Sequence, residues 1–202
     1  ISRASASVGL SYGAHSNLCV NQINRWGTVE QKRKYLPALC SGAHVGALAM
    51  SESGSGSDVV SMRLRAEKRS DRYVLNGTKM WITNGGFADI FIVFAKIDND
   101  ERLSAFIVEK EFGGIEIGKE EKKMGIKASS TVQLFFNNVP IPKENLLGER
   151  GKGFNMALNI LNNGRIKICA GGVGGMKFGV QKSVEYANQR IQFNQPIAQF
   201  GA

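Results

Sequence analysis

Asp89-Ile-Phe-Ile-Val-Phe-Ala95 is a nearly continuous run of apolar β-formers. Such a run reads as a buried strand, and Asp98-Asn-Asp100 turns the chain after it. Working outward, Val45–Met50 is a first apolar run. Tyr73-Val-Leu75 leads into Asn76-Gly77, a strong hairpin-turn signal. Ser104–Val108 and Thr131–Phe136 follow. Five or six strands at this spacing predict a compact antiparallel sheet pair or barrel between residues 46 and 140.

The flanks read differently. Residues 1–45 read as mostly helical, with Ile1–Val8 as the middle of a small-residue helix. Val29–Leu36 is a helical stretch that Pro37 interrupts or restarts, and Ser41-Gly42 is its stop. From Gly153 the helical period returns, with Phe154, Ala157, Leu158 and Leu161 on one face. Val173, Met176, Val180, Val184 and Ala187 continue it. Gly171, Gly172, Gly174 and Gly175 predict either close helix–helix approach or a break. The fold class is therefore α+β. The order is helices over 1–45, a β module over 46–148 and helices over 149–202.

Composition narrows the function. No apolar run reaches the length of a membrane-spanning helix. The net charge of +9 comes from dispersed cations, and Lys32-Arg-Lys34 reads as a solvated helix face. With no nucleic-acid signature, such a surface suits a polyanionic small molecule such as a nucleotide thioester. Cys19, Cys40 and Cys169 share no short spacing, which predicts buried, reduced thiols. His15 and His44 are too isolated for a metal site. No GxGxxG or GxSxG motif exists. Gly113–Lys119 mimics a phosphate loop, but Glu120 stands where the magnesium-binding hydroxyl belongs. The start at Ile1 shows no signal or transit peptide and predicts a core piece of something longer.

Two runs carry chemistry. Ala49-Met-Ser-Glu-Ser-Gly-Ser-Gly-Ser-Asp58 offers hydroxyls, backbone N–H groups and glycines. It is either a surface loop or a cradle for a phosphate-bearing ligand. Trp81-Ile-Thr-Asn-Gly-Gly86 offers an indole and a hydroxyl. Trp81 is either a core aromatic or a stacking surface.

At these residues the chain resembles the acyl-CoA dehydrogenase family. Ala49–Ser61 is similar to its first signature, with Ser53 in place of the usual Pro, and Lys79–Gly86 to its flavin-facing strand. Gly27–Pro37, Lys123–Lys127, Val139–Pro142, Asn145–Gly148 and Arg190–Phe193 match in order. Residues 1–80 look most like the isovaleryl-CoA branch, and the remainder like the very-long-chain branch and its bacterial relatives. The resemblance implies a partial N-terminal helical domain, a central β-barrel-like domain and the start of a C-terminal helical bundle. It also implies FAD, an acyl-CoA substrate dehydrogenated to a trans-2-enoyl-CoA, and an electron-transfer flavoprotein-type acceptor. A homodimer or homotetramer follows from it, in the mitochondrial matrix or a bacterial cytoplasm. A non-catalytic binding or assembly module on the same scaffold is the alternative.

Site residues carry over by position. Leu48, Ala49, Met50, Ser51, Glu52 and Ser53 would line the FAD, as would Gly54, Ser55, Gly56 and Ser57. Ser51 and Thr83 fall at flavin hydrogen bonds, Trp81 against the ring, and Ile82 between them. Arg190, Gln192 and Phe193 correspond to positions that reach the FAD of a neighbouring subunit. Asn194 stands where the family has Gly, in the turn that follows. Ser57, Asn155, Asn162, Asn163, Gly164 and Arg165 fall at acyl-CoA-lining positions. The resemblance allows two positions for the base glutamate. Gly164 occupies one and the other lies beyond Ala202. Glu52, Asp58 and Glu185 read as caps, surface or structural groups.

Overall fold

The computed structural model describes residues 1–201; Ala202 lies outside the described residues. The Ser5 hydroxyl accepts the Val8 N–H at 3.3 Å and so starts helix α1 (Ala6–Gly13). The helix thus begins at Ala6, and the chain before it is a turn rather than the middle of a helix. A π-helical segment, Ala14–Val20, leads into α2 (Asn21–Trp26). α3 (Val29–Ser41) opens on a reciprocal capping box between Thr28 and Gln31 and closes at Gly42, whose φ is +80°. Pro37 lies inside α3 and does not end it.

Eight strands form one sheet: β1 (Gly46–Ala49), β2 (Arg65–Lys68), β3 (Arg72–Thr83), β4 (Ile90–Ile97), β5 (Leu103–Glu109), β6 (Ile115–Ile117), β7 (Thr131–Pro142) and β8 (Leu146–Leu147). Their order is β6-β7-β3-β2-β4-β5-β8, with β1 also paired to β4. The count exceeds the expected five or six because β6 and β8 are too short to show a pattern and β2, Arg-Ala-Glu-Lys, has a single apolar residue. The sheet is also mixed: β1 and β2 both run parallel to β4. Asn76-Gly77 does not form a hairpin turn. It lies inside β3 at a bulge against β7, where Gly77 adopts φ +135°.

β4 explains its own composition. Phe91, Val93, Ala95 and Ile97 point into one core, with Leu75, Phe106, Leu134 and Phe136. Ile90, Ile92 and Phe94 point into another, with Ile23, Leu39, Met156 and Ile160 from the helices. A strand buried on both faces has no polar side to alternate. The sheet curls around the first core, since Tyr73 of β3 meets Phe106 of β5 edge-to-face at 5.0 Å across two intervening strands.

α4 runs unbroken from Gly153 to Gln189. A β-carbon added at Gly153 would lie 2.8 Å from the Leu103 carbonyl carbon, so this glycine sets the helix directly on the sheet. The buried residues are therefore Gly153, Met156, Ala157 and Ile160. Phe154 and Leu158, expected on the inner face, are exposed. Of the four glycines, Gly171 and Gly174 approach Ser2 and Arg3, while Gly172 and Gly175 face open space. No break occurs. Cys19 is buried, and burial pushes its thiol up to about 12. Cys40 and Cys169 are exposed, contrary to expectation. Gly113 and Gly114 lead into β6 and not into a helix, so the mimic forms no phosphate loop. Among the described residues no helix is long and apolar enough to cross a membrane, and no His, Cys, Asp and Glu group can hold a metal ion.

Candidate functional site

β1 carries the chain into Met50 and Ser51, and the far end of β3 lies beside it. The Met80 N–H donates to the Ser51 carbonyl at 2.9 Å and joins the two. Between Lys79 and Ile82 the β3–β7 register shifts, and Trp81 sits in that bulge with φ +63°. A left-handed backbone costs a bulky residue about 1–3 kcal/mol and persists only where its surroundings dictate it. Trp81 is also 57% exposed. It is therefore a strained indole held at the surface, not a core aromatic.

A cavity of about 130 Å³ gathers Leu48, Met50, Ser51, Trp81, Ile82 and Thr83 from these two segments, with Ala14 and Leu18 from the π-helical segment. Among the described residues neither the Ser51 nor the Thr83 hydroxyl has a protein partner. Asn84 follows directly. Its amide donates to the carbonyls of Ser11 at 2.9 Å and Gly46 at 3.2 Å, while its buried Oδ1 has no partner. These donors, an exposed aromatic face and an orphaned acceptor fit a flat, polar-edged ring system.

The loop beyond Ser51 is a tight turn. Glu52 and Ser55 exchange backbone hydrogen bonds of 2.9 and 3.1 Å, which leaves Ser53 and Gly54 exposed at the tip. β-carbons added at Gly54 or Gly56 would meet nothing within 4 Å, so the backbone there is open to close approach. Two side chains expected at the ligand turn away from it. Ser55 is buried and donates to the Asp58 carbonyl at 2.6 Å, and the Ala49 methyl lies in the first core, with Phe91 and Val93. Only their backbones remain available.

Glu52 also turns inward. Its Oε1 accepts from the Lys79 ammonium at 2.9 Å and the Leu64 N–H at 3.0 Å, and its Oε2 from the Arg63 N–H at 2.6 Å. The Lys79 side chain is fully buried. Burial pushes its ammonium down to about 8 against the pull of the Glu52 charge. Burial alone would raise the Glu52 carboxyl; the Lys79 charge and the two N–H groups overcome it and hold the carboxyl below its usual range.

Lys79, Asn84 and His15 position the site and escaped the sequence reading. His15 Nδ1 accepts the Gly46 N–H at 2.9 Å, so Nε2 carries the proton and donates to the Leu39 carbonyl at 3.1 Å. Both ring nitrogens are spent, one on β1 and the other on α3. Lys79 did leave a signal: it shares the parity of the inward-facing Tyr73 and Leu75.

The residues expected at the substrate divide. Ser57 is exposed on the loop. Asn155 lines a cavity of about 350 Å³ with Val60, Leu103, Lys152 and Phe154, and a neighbouring one of about 620 Å³ with Trp26 and Thr28. Asn162 accepts from Arg165 Nη1 at 3.1 Å, and Asn163 donates to Asn159 at 3.4 Å. A β-carbon on Gly164 would meet only Leu18, at 3.7 Å, and Leu18 lines the Trp81 cavity. Position 164 thus looks toward that cavity with no carboxylate. Asp58 binds the Ser61 hydroxyl and Glu185 binds Lys182, so neither is poised as a base.

Arg190, Gln192 and Phe193 lie apart from all of this. At 1.5 Å per residue, α4 carries Arg190 about 39 Å beyond Gly164, the position that looks toward the Trp81 cavity. There β9 (Ile191–Gln192) and β10 (Gln195–Pro196) form a hairpin whose turn residues Phe193 and Asn194 both have positive φ. Asn is the residue other than Gly that best tolerates this conformation, so the turn forms without the family's Gly.

Comparison with known proteins agrees with this arrangement. Residues 1–43, 47–139 and 151–202 match the N-terminal, middle and C-terminal domain models of acyl-CoA dehydrogenases. The chain is 51% identical to the mitochondrial isovaleryl-CoA dehydrogenase of Oryza sativa subsp. japonica, over 99% of this chain and 50% of that protein. It superposes on butyryl-CoA dehydrogenase from Megasphaera elsdenii with a TM-score of 0.96 and 41% identity, covering 98% of this chain and 53% of the other. An acyl-CoA dehydrogenase from Bacillus anthracis complexed with FAD gives a TM-score of 0.92 and 52% identity, over 95% of this chain and 33% of the other. The chain thus spans about half the length of the rice relative. Three consecutive domain models, in order and on the matching fold, establish that this chain belongs to the acyl-CoA dehydrogenase family.

Proposed function

We propose that the protein containing this chain is an FAD-dependent acyl-CoA dehydrogenase that converts an acyl-CoA to its trans-2-enoyl-CoA. The observation that carries the reading is Trp81: a strained, exposed indole beside two unpartnered hydroxyls, Ser51 and Thr83. Ser51 and Thr83 would hydrogen-bond the polar edge of the flavin, Trp81 would cover its ring and exclude water, and the open backbone at Gly54 and Gly56 would take its phosphates. When bound, FAD supplies the acceptor for the β-hydride.

The α-proton of a thioester is weakly acidic and needs a base together with donors for the developing enolate. Position 164 supplies no base, and Glu52, Asp58 and Glu185 are engaged elsewhere. We assign that role to a carboxylate outside these residues. Gly164 in place of a carboxylate also favours straight, longer acyl chains over isovaleryl-CoA. The Arg190–Phe193 hairpin, remote from its own chain's cavity, would serve the site of a second copy. The electrons would leave to an electron-transfer flavoprotein-type acceptor.

Purification of the full-length protein tests this. It should carry a flavin absorbance band that bleaches on addition of acyl-CoA, with rates rising along a graded straight-chain series. A colourless protein that FAD cannot reconstitute would overturn the cofactor reading. A clear preference for isovaleryl-CoA would overturn the chain-length reading.

A further inference from the structure

A fully buried lysine on the core-facing side of a β-strand needs a reason. Buried ion pairs are poor stabilisers, because apolar residues of the same shape serve stability equally well or better. What Lys79 holds supplies that reason. An ammonium has three protons, and all three are placed: one on the Met50 carbonyl at 2.8 Å, one on Glu52 Oε1 at 2.9 Å, one toward Met62 Sδ at 3.5 Å. None is left for a ligand. Two of the three go to the residues on either side of Ser51. The Ser51 carbonyl is itself taken by the Met80 N–H. Ser51 is thus clamped through its neighbours and its backbone, with its hydroxyl unpartnered at the cavity. Two residues after Lys79 the chain enters the left-handed conformation of Trp81. Glu52 extends the clamp through Arg63 and Leu64 to the segment entering β2.

We propose that Lys79 and Glu52 are positioning residues for the flavin cavity: their buried pair couples the loop bearing Ser51 to the strand bearing Trp81, so both walls move as one unit. The proposal rests on the FAD reading for its consequence, though its geometry does not.

The test is the double variant Lys79→Met/Glu52→Gln in the full-length protein. Removing both charges together avoids leaving one buried alone. Two readouts separate positioning from mere stability: FAD affinity of the folded apoprotein, and acrylamide quenching of Trp81 emission in a background where Trp26 and every other tryptophan of the full-length protein are replaced by Phe. Uncoupled walls should weaken FAD binding by about tenfold, as when the competent arrangement falls to a tenth of the population. Trp81 quenching should change in the apoprotein too. Unchanged affinity with unchanged quenching overturns the proposal. If the double variant does not fold, Lys79→Gln/Glu52→Gln, which also removes both charges but keeps polar groups at both positions, is read in the same way and should show a smaller loss; no loss overturns it. If the parent protein itself fails to bind FAD, the functional reading falls, and the Trp81 quenching still decides the coupling.

Discussion

Two regions of this chain are expected to face the same kind of cofactor, and they are held in opposite ways. At the corner between Ser51 and Trp81, strained backbone is fixed by long-range bonds: Lys79 to Met50 and Glu52, Met80 to Ser51, Asn84 to Ser11 and Gly46. At the hairpin after α4, two left-handed residues are held by a two-pair ladder and the Ile197-to-Arg190 backbone bond. Phe193 there is 90% exposed and meets the Phe200 ring edge-on. The same conformational cost is thus met by tertiary structure in one place and by turn chemistry in the other. The corner is pre-organised within one chain, whereas the hairpin is a local unit that presents its side chains outward.

The sharpest way to break the corner is Lys79→Met alone. It leaves the Glu52 carboxylate buried with two N–H donors and no countercharge. Losing one partner of a buried pair costs about 3–5 kcal/mol. Denaturant unfolding of the full-length variant should show a loss of that size. A loss below about 1 kcal/mol, the scale of exposed pairs, would show that the pair is solvated and the corner far looser than its geometry indicates.

That cost also marks where sequence reading stopped. The Asp89–Ala95 strand was legible because burial on both faces leaves a continuous apolar run. Asn76-Gly77 misled because its turn preference is local. In the folded chain Asn76 bonds across to Asn138, and a β-carbon on Gly77 would lie 3.2 Å from Leu64 Cδ1, so a strand bulge uses the same residues. The inner face of α4 was misassigned because the contact that sets it involves a glycine, which no hydrophobic period can register. Ser51, Trp81 and Thr83 were reachable through family resemblance. The roles of Lys79, Asn84 and His15 were not, since each depends on partners at least 24 residues away or on a different element. Motifs identify residues one at a time, whereas a clamp is a property of pairs.

Trp81→Gly sharpens the comparison by setting stability against function. The indole is mostly exposed, so little burial is lost, and glycine adopts φ +63° freely. Relief of strain should leave unfolding free energy unchanged or raise it by about 1 kcal/mol. FAD affinity should fall in the same variant, because the ring loses its cover. A clear destabilisation would instead make Trp81 a structural residue and the left-handed bulge incidental.

The smallest effect is expected at the hairpin. Asn194→Ala places an ordinary side chain at φ +61° and should cost the turn about 1 kcal/mol, whereas Asn194→Gly should cost nothing measurable. Because the hairpin packs against the end of α4 and is paired within itself, neither change should alter global unfolding. The loss should appear as faster amide hydrogen exchange at Gln192 and Gln195, the paired residues of the ladder. If Asn194→Ala lowered global stability as Lys79→Met is expected to, the hairpin would be coupled to the β-sheet. The contrast between a clamped corner and a local turn would then fail at its weaker side. If exchange rises only at the hairpin, the strain at these two places is carried by independent devices, and of the two only the corner depends on the core.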